Sequence, residues 1–203
     1  MDWRRPPIWL LRPLFPGIIW KKKHSDKRII YLTFDDGPST LTEDISRLLD
    51  DRGHHATFFL LGEGVKKYPE VIPRLQSAGH AIGLHGHQHL DAWKSDAGEF
   101  IDDYRKGNTL ITSGLYRPPY GHLRLSQFRQ FRQEKKIVMW NIMPGDFLDS
   151  MNAEAVSRYI LDHVRPGSII VLHDQERLRE KLMKALPMIM DGIEKKGLLS
   201  EAL

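Results

Sequence analysis

The chain has no cysteine, which excludes disulfides and thiolate metal sites. That absence leaves the compartment open, because many exported proteins also lack cysteine. Nor is there a long uninterrupted apolar run. The stretch from Ile8 to Trp20 is broken by Arg12, Pro13 and Pro16, which makes it too short and too interrupted for a membrane span. No small-x-small cleavage site follows it, so a removable signal peptide is not expected. The location expected from these two absences is cytoplasmic or peripheral at a membrane. Internal repeats at solenoid periods and low-complexity tracts are also missing. What remains is 203 residues, 41% of them hydrophobic, enough for one domain around one sizeable core.

Charge is present but unevenly placed. Residues 1–28 carry eight basic side chains against Asp2 and Asp26, whereas the remainder is slightly acidic. A basic N-terminal arm, residues 1–27, is therefore expected ahead of a folded domain over residues 28–203. The body has no charge signature of a nucleic-acid-binding surface. The arm mixes its cations with Trp3, Trp9, Leu10, Leu11, Phe15 and Trp20. That combination suits contact between residues 1–28 and an anionic membrane surface. The competing expectation is that these apolar residues pack across one end of the fold, since Pro7, Pro13 and Pro16 spoil a long amphipathic helix. Nothing in the sequence indicates an oligomeric state.

From Arg28 onward, short apolar runs alternate with amphipathic stretches. The runs "RIIYLTF", "ATFFLLG", "HAIGLH", "LYRPP", "KIVMWN" and "SIIVLH" read as strands, and "LLSEAL" as a seventh, terminal one. Between them, helices are expected from a capping box at Thr40 and Glu43 to near Gly53, over "PEVIPRLQSAG", from Asp96 to Thr112, from Ser126, over "AEAVSRYILDHV", and over "REKLMKALPMIMDGIEKKG" with Pro187 as a kink. Repeated strand–helix units imply a parallel sheet with right-handed crossovers, either open or closed into a barrel. Six or seven units are too few for an eight-fold barrel.

Five of these strands end in polar residues that burial does not require. Asp35 and Asp36 follow the first strand, and His85, His87 and His89 the third. Arg117 sits in the fourth, Asp146 lies just past the fifth, and His173 and Asp174 close the sixth. A lone strand-end Asp is more often a helix cap, and a lone His more often a satisfied structural residue. Convergence of five strand ends is not explained by capping, and parallel α/β folds build their sites at this end of the sheet. His85 and His89, four apart, suit a divalent metal, and the first strand offers a carboxylate as third ligand. Two imidazoles and one carboxylate leave coordination positions open, as catalytic metals require. His54 and His55 read as surface or helix-exit residues. His122 could line a groove and Trp93 could stack on a sugar, but loop solvation and packing are the expected uses.

The segments "TFDDGP" (33–38), "HGHQH" (85–89), "RPPYG" (117–121), "WNIMPGDF" (140–147) and "IVLHD" (170–174) occur in this order. In these five motifs the chain resembles the polysaccharide deacetylases, the NodB-homology domains or carbohydrate esterase family four, over about residues 28–200. The resemblance implies a single-domain α/β fold, a distorted (β/α)7-type barrel. It also implies metal-dependent removal of acetyl groups from N-acetylated sugars of the chitin or peptidoglycan class. The metal would be Zn²⁺, with Co²⁺, Ni²⁺ or Mn²⁺ as alternatives, held by Asp36, His85 and His89. Asp35 would be the general base, paired with Arg117. His173 would be the general acid, oriented by Asp146, and the backbone N–H of Tyr120 would face the oxyanion. Pro118, Phe147, Val171 and Leu172 would shape the substrate pocket.

Three positions depart from the family pattern. Gly86 stands where Ser or Thr usually follows the first histidine, so a loop hydroxyl is missing and His87 is the expected compensation. Phe147 replaces a Trp in the groove wall. Val171 replaces a Leu, which would widen the pocket for the acetate methyl. The same site could serve an O-acetyl esterase or a small-molecule amidase. A catalytically silent carbohydrate-binding domain would not need the charged set.

Overall fold

The computed structural model describes residues 4–203, apart from the side chain of Arg12, so Asp2 and Trp3 of the basic arm lie outside the described residues. In chain order the elements are α1 (Ile8–Leu14), β1 (Ile29–Asp35), α2 (Thr42–Asp50), β2 (Ala56–Leu60), α3 (Gly62–Lys67), α4 (Val71–Ser77), β3 (Ala81–Leu84) and α5 (Ala97–Leu110). They continue with β4 (Leu115–Tyr116), α6 (Leu125–Glu134), β5 (Lys136–Ile137), α7 (Ala153–His163), β6 (Ile169–His173), α8 (Arg179–Lys195) and β7 (Leu199–Ser200). Every residue of β1 is buried, as a strand covered on both faces must be, which is why its sequence reads as an unbroken apolar run.

All strand pairs are parallel, in the order β5-β4-β3-β2-β1-β6, and β7 pairs with the first residues of β1. The sheet curls into a distorted (β/α)7-type barrel, with its open seam between β5 and β6. Single parallel bridges fill that seam, Ile19 to Val138 and Ile142 to Ile170. The N-terminal arm thus reaches the barrel wall. Ile8, Leu11, Phe15, Ile18 and Ile19 pack on the core and Trp20 is buried within it, whereas Trp9, Leu10 and Leu14 of α1 face solvent. Among the described residues no helix is long and apolar enough to cross a membrane.

Several local expectations need correction. The Thr40–Glu43 capping box does not form: α2 starts at Thr42 with no side-chain cap of that kind. Thr40 instead bonds Glu176, and the Ser39 hydroxyl accepts from the Leu41 N–H. Helix α3 was not expected; its "GEGVKK" has too few apolar residues to show a helical period. His54 is buried rather than exposed, because its imidazole lies between the Ser200 N–H and Glu194. The helix expected from Asp96 to Thr112 is α5, with Asp96 as its cap, accepting from the Gly98 and Glu99 N–H groups.

Candidate active site

The parallel sheet brings the C-terminal ends of β1, β3, β4 and β6 to one face, and the polar residues collect there. Asp35 and His173 are register partners on adjacent strands. The cavity they line has a volume of about 570 Å³, with Asp36, His85, His89, Pro118, Tyr120 and Phe147 also on its wall. That volume is in the usual range for a small-molecule or sugar-residue site.

Arg117 is fully buried, with no part of its side chain in contact with solvent. A guanidinium in that position is tolerable only when its donors are used. Nη1 donates to Asp35 Oδ1 at 2.6 Å and to Thr33 Oγ1 at 2.8 Å. Nε and Nη2 donate to the carbonyls of Val138 and Met139, and the guanidinium lies 4.0 Å from the centre of the Phe59 ring. Asp35 is therefore clamped by one oxygen, while Oδ2 faces His85 Nε2 at 3.9 Å.

Asp36 adopts φ +74° and His89 φ +59°, left-handed conformations that are uncommon for such residues and turn both side chains into the cavity. The ligand atoms of Asp36, His85 and His89 lie within 4.8 Å of one another. His85 Nδ1 is engaged with the Arg117 carbonyl at 2.7 Å, which leaves Nε2 aimed at Asp36 Oδ1, 3.4 Å away. His89 Nε2 is 3.1 Å from the same oxygen. Asp36 Oδ1 is buried and has no well-aligned hydrogen-bond donor. Burial disfavours its charge, but the two imidazoles outweigh burial and hold the carboxyl well below its usual range. An orphaned carboxylate oxygen facing two imidazole nitrogens fits a cation better than it fits a hydrogen bond. This cluster is a possible His/Asp metal site.

Two supporting residues escaped the sequence reading. Gln175 Nε2 donates to Asp36 Oδ2 at 2.5 Å, so the oxygen turned away from the imidazoles is occupied and Oδ1 is the one presented to them. Asp103, on α5, accepts from the backbone N–H groups of His87 and Gln88 at 2.7 and 2.8 Å. It holds the loop bearing both histidines, directly beside Gly86. Gly86 has φ +88°, and a Cβ there would stand 2.9 Å from Asp103 Oδ2. His87 is not the compensating residue: its ring is buried with Nδ1 unpaired, and only its backbone takes part. Asp103 does carry a sequence signal, an acid on the same buried helix face as Phe100, Tyr104 and Gly107.

His173 Nδ1 pairs with Asp146 Oδ1 at 2.8 Å, and the His173 N–H donates to Asp146 Oδ2 at the same distance. Burial opposes the imidazolium, but Asp146 foremost, then Asp36 and Asp35, overcome it and raise the histidine to about 9. Lys181 steadies the loop by donating to the carbonyls of Asp146 and Leu148. Asp174 is buried beneath the first motif, bonded to Ser39 Oγ at 2.6 Å and Thr42 Oγ1 at 2.5 Å. Burial, only partly offset by those two hydroxyls, raises it to about 6. Gly37 is required beside it, because a Cβ there would collide with the Asp174 carboxylate.

Of the expected pocket residues, Pro118 and Phe147 line the cavity, and the Phe147 ring meets His173 edge-on with centroids 4.9 Å apart. Val171 and Leu172 do not line it. Both are fully buried in β6, paired with Thr33 and Phe34 of β1, so a wider methyl pocket at Val171 is not borne out. Tyr120 is 56% exposed on the cavity rim, with φ +59° orienting its peptide. His122 also lines the cavity, bonded to Asp91, and Trp93 is an exposed ring stacked on it; neither is the solvated or packed residue expected.

Comparison with known proteins agrees with this arrangement. The polysaccharide deacetylase family model matches residues 22–136. A peptidoglycan-N-acetylglucosamine deacetylase of Bacillus cereus is 28% identical over 193 residues, covering 87% of this chain and 70% of that protein. A chitooligosaccharide deacetylase of Rhizobium leguminosarum bv. trifolii is 30% identical over 194 residues, covering 85% and 89%. The crystal structure of a peptidoglycan N-acetylglucosamine deacetylase in complex with 4-naphthalen-1-yl-N-oxidanyl-benzamide superposes with a TM-score of 0.85 at 28% identity, covering 98% of this chain and 94% of that one. With the matched model spanning more than half of its residues, and the five motifs meeting at one end of the barrel, the chain belongs to the polysaccharide deacetylase family.

Proposed function

We propose that the protein is a metal-dependent deacetylase that hydrolyses the acetamide of N-acetylated sugars in a chitin- or peptidoglycan-like substrate. The observation that carries this reading is the pairing of a clamped carboxylate with a carboxylate-held histidine on neighbouring strands, beside the Asp36–His85–His89 cluster. Those three residues would hold a divalent cation, Zn²⁺ foremost, with Co²⁺, Ni²⁺ or Mn²⁺ able to serve. When bound, such an ion would polarise the acetyl carbonyl and make water a better nucleophile near neutral pH.

The protein's own groups account for the rest. Asp35, fixed through Oδ1 by Arg117, offers Oδ2 to take the proton of the attacking water. The Tyr120 N–H donates to the developing oxyanion, with no reorganisation because its peptide is already turned. His173 carries its proton at Nε2, since Nδ1 is committed to Asp146, and delivers it to the departing sugar amine. An amine is a poor leaving group without that proton, which is the reason for a histidine held protonated through neutral pH. Phe147 and Pro118 flank the acetyl group and exclude water from it. The O-acetyl esterase reading uses the same residues but needs the acid less, because an alkoxide leaves more readily than an amide anion.

The test is acetate release from N-acetyl chito-oligosaccharides and from acetylxylan by protein loaded with Zn²⁺ or Co²⁺. N-deacetylation that depends on the metal and on Asp35 is the expected result. Release from acetylxylan alone would move the protein to the esterases. Sugar binding without release from either would leave a silent carbohydrate-binding domain.

A further inference from the structure

We propose that Trp93 and His122 form a second sugar-binding position, a stacking platform for a residue of the polymer beyond the one that is deacetylated. This rests on the deacetylase reading and extends it to the length of substrate bound.

Trp93 is 62% exposed, so it contributes little to the core, yet it is held in one orientation. Its indole lies on the His122 imidazole with centroids 3.5 Å apart and planes 11° from parallel. A single buried carboxylate oxygen, Asp91 Oδ1, accepts the Trp93 backbone N–H at 2.9 Å and meets His122 Nδ1 at 2.8 Å. Trp93 Nε1 reaches the Leu123 carbonyl at 3.4 Å. One face of the indole is thus spent on His122, and its exposure belongs to the other face. Burying a carboxylate to brace two rings at the surface has no return in core packing.

The pair is also continuous with the active site. His122 lines the cavity. Tyr120 lies 5.9 Å from it with planes 28° apart, and Tyr120 meets the ring of His89 at 4.6 Å. A path of rings therefore leads from a candidate metal ligand to Trp93. The occupant that fits is a neutral pyranose. Its axial C–H groups form an apolar face that stacks on an indole, and its hydroxyls stay in water at the rim. A polymer whose acetamide sits at Asp35 and His173 would lay a neighbouring residue along this path.

The experiment compares N-acetyl chitohexaose with N-acetyl chitobiose, by steady-state acetate release and by calorimetric binding in an Asp35→Asn background that does not turn over. Trp93→Ala should lower kcat/KM for the hexamer roughly tenfold through KM, with kcat nearly unchanged and the dimer unaffected. Trp93→Tyr should recover most of the loss, which a collapsed loop would not permit. Equal losses on both lengths, or none on the hexamer, would overturn the platform. Hexamer binding that needs Trp93 but leads to no acetate release in the metal-loaded wild type would overturn the deacetylase reading and keep the platform. A hexamer that does not bind at all would overturn both.

Discussion

Asp146→Asn tests the proposed acid most directly. Asp146 is the leading group raising His173 to about 9, against burial that acts in the opposite direction. Removing its charge leaves burial opposed only by Asp36 and Asp35, so the histidine should fall toward its ordinary value of 6.5, a shift of up to about 2.5 pH units, or roughly 3 kcal/mol. Asp36 and Asp35 make smaller contributions, and a cation at Asp36 would lower the histidine in wild type and variant alike, leaving the difference made by Asp146. At pH 8 the protonated fraction would drop from about 0.9 to as little as about 0.03, a loss of up to roughly thirty-fold in rate. The basic limb of kcat/KM for acetate release should move toward acid by about two units, as a property of the coupled site rather than of one residue. The same shift is a stability statement. A histidine raised on folding adds stability that is fully present below about 6.5 and is lost as pH rises through about 9. In the variant that pH dependence should vanish from urea unfolding. Asn keeps only one of the two hydrogen bonds to His173, so some pH-independent destabilisation is also expected. An Asn variant that folds, yet keeps both its basic limb and its unfolding profile, would refute the assignment of His173 as the acid.

Four further outcomes are expected. Asp35→Asn should retain metal by elemental analysis but lose turnover, whereas Asp36→Asn should lose the metal; the reverse pattern would exchange their roles. Gln175→Leu should weaken Zn²⁺ binding in calorimetry by about 10- to 100-fold, because Asp36 Oδ2 loses its donor and the carboxylate can rotate. Asp103→Ala should cost about 1–3 kcal/mol in urea unfolding by leaving the buried His87 N–H and the half-buried Gln88 N–H without their acceptor, and Gly86→Ser should not restore it, since φ +88° disfavours serine; full rescue would mean the loop is held otherwise. Deleting residues 1–25 should lower the melting temperature, because Ile19 and Trp20 leave the barrel seam. Co-sedimentation of the intact chain with anionic vesicles at low salt would add a membrane role for Trp9, Leu10 and Leu14, and failure to sediment would dismiss it.

The sequence by itself determined the strands and the residues at their ends. An apolar run such as "IIYLTF" can only be buried, and a buried parallel strand must expose its next residues at the sheet's C-terminal edge. Asp35, Asp36, His85, Arg117 and His173 were therefore legible as one group before any coordinates. Short-range pattern does not reach across the chain, however. Nothing local joins Gln175 to Asp36, 139 positions away, or Trp93 to His122, and no period in "GEGVKK" marks a helix. The arm was open to two readings because its composition suits both a lipid surface and a protein seam. Only tertiary structure decided that Ile19 pairs with Val138, that Asp103 and not His87 secures the histidine loop, and that Val171 is core rather than pocket. Local sequence sets which groups must be buried or exposed. Which of them meet is set by the packing that brings distant strands and helices together.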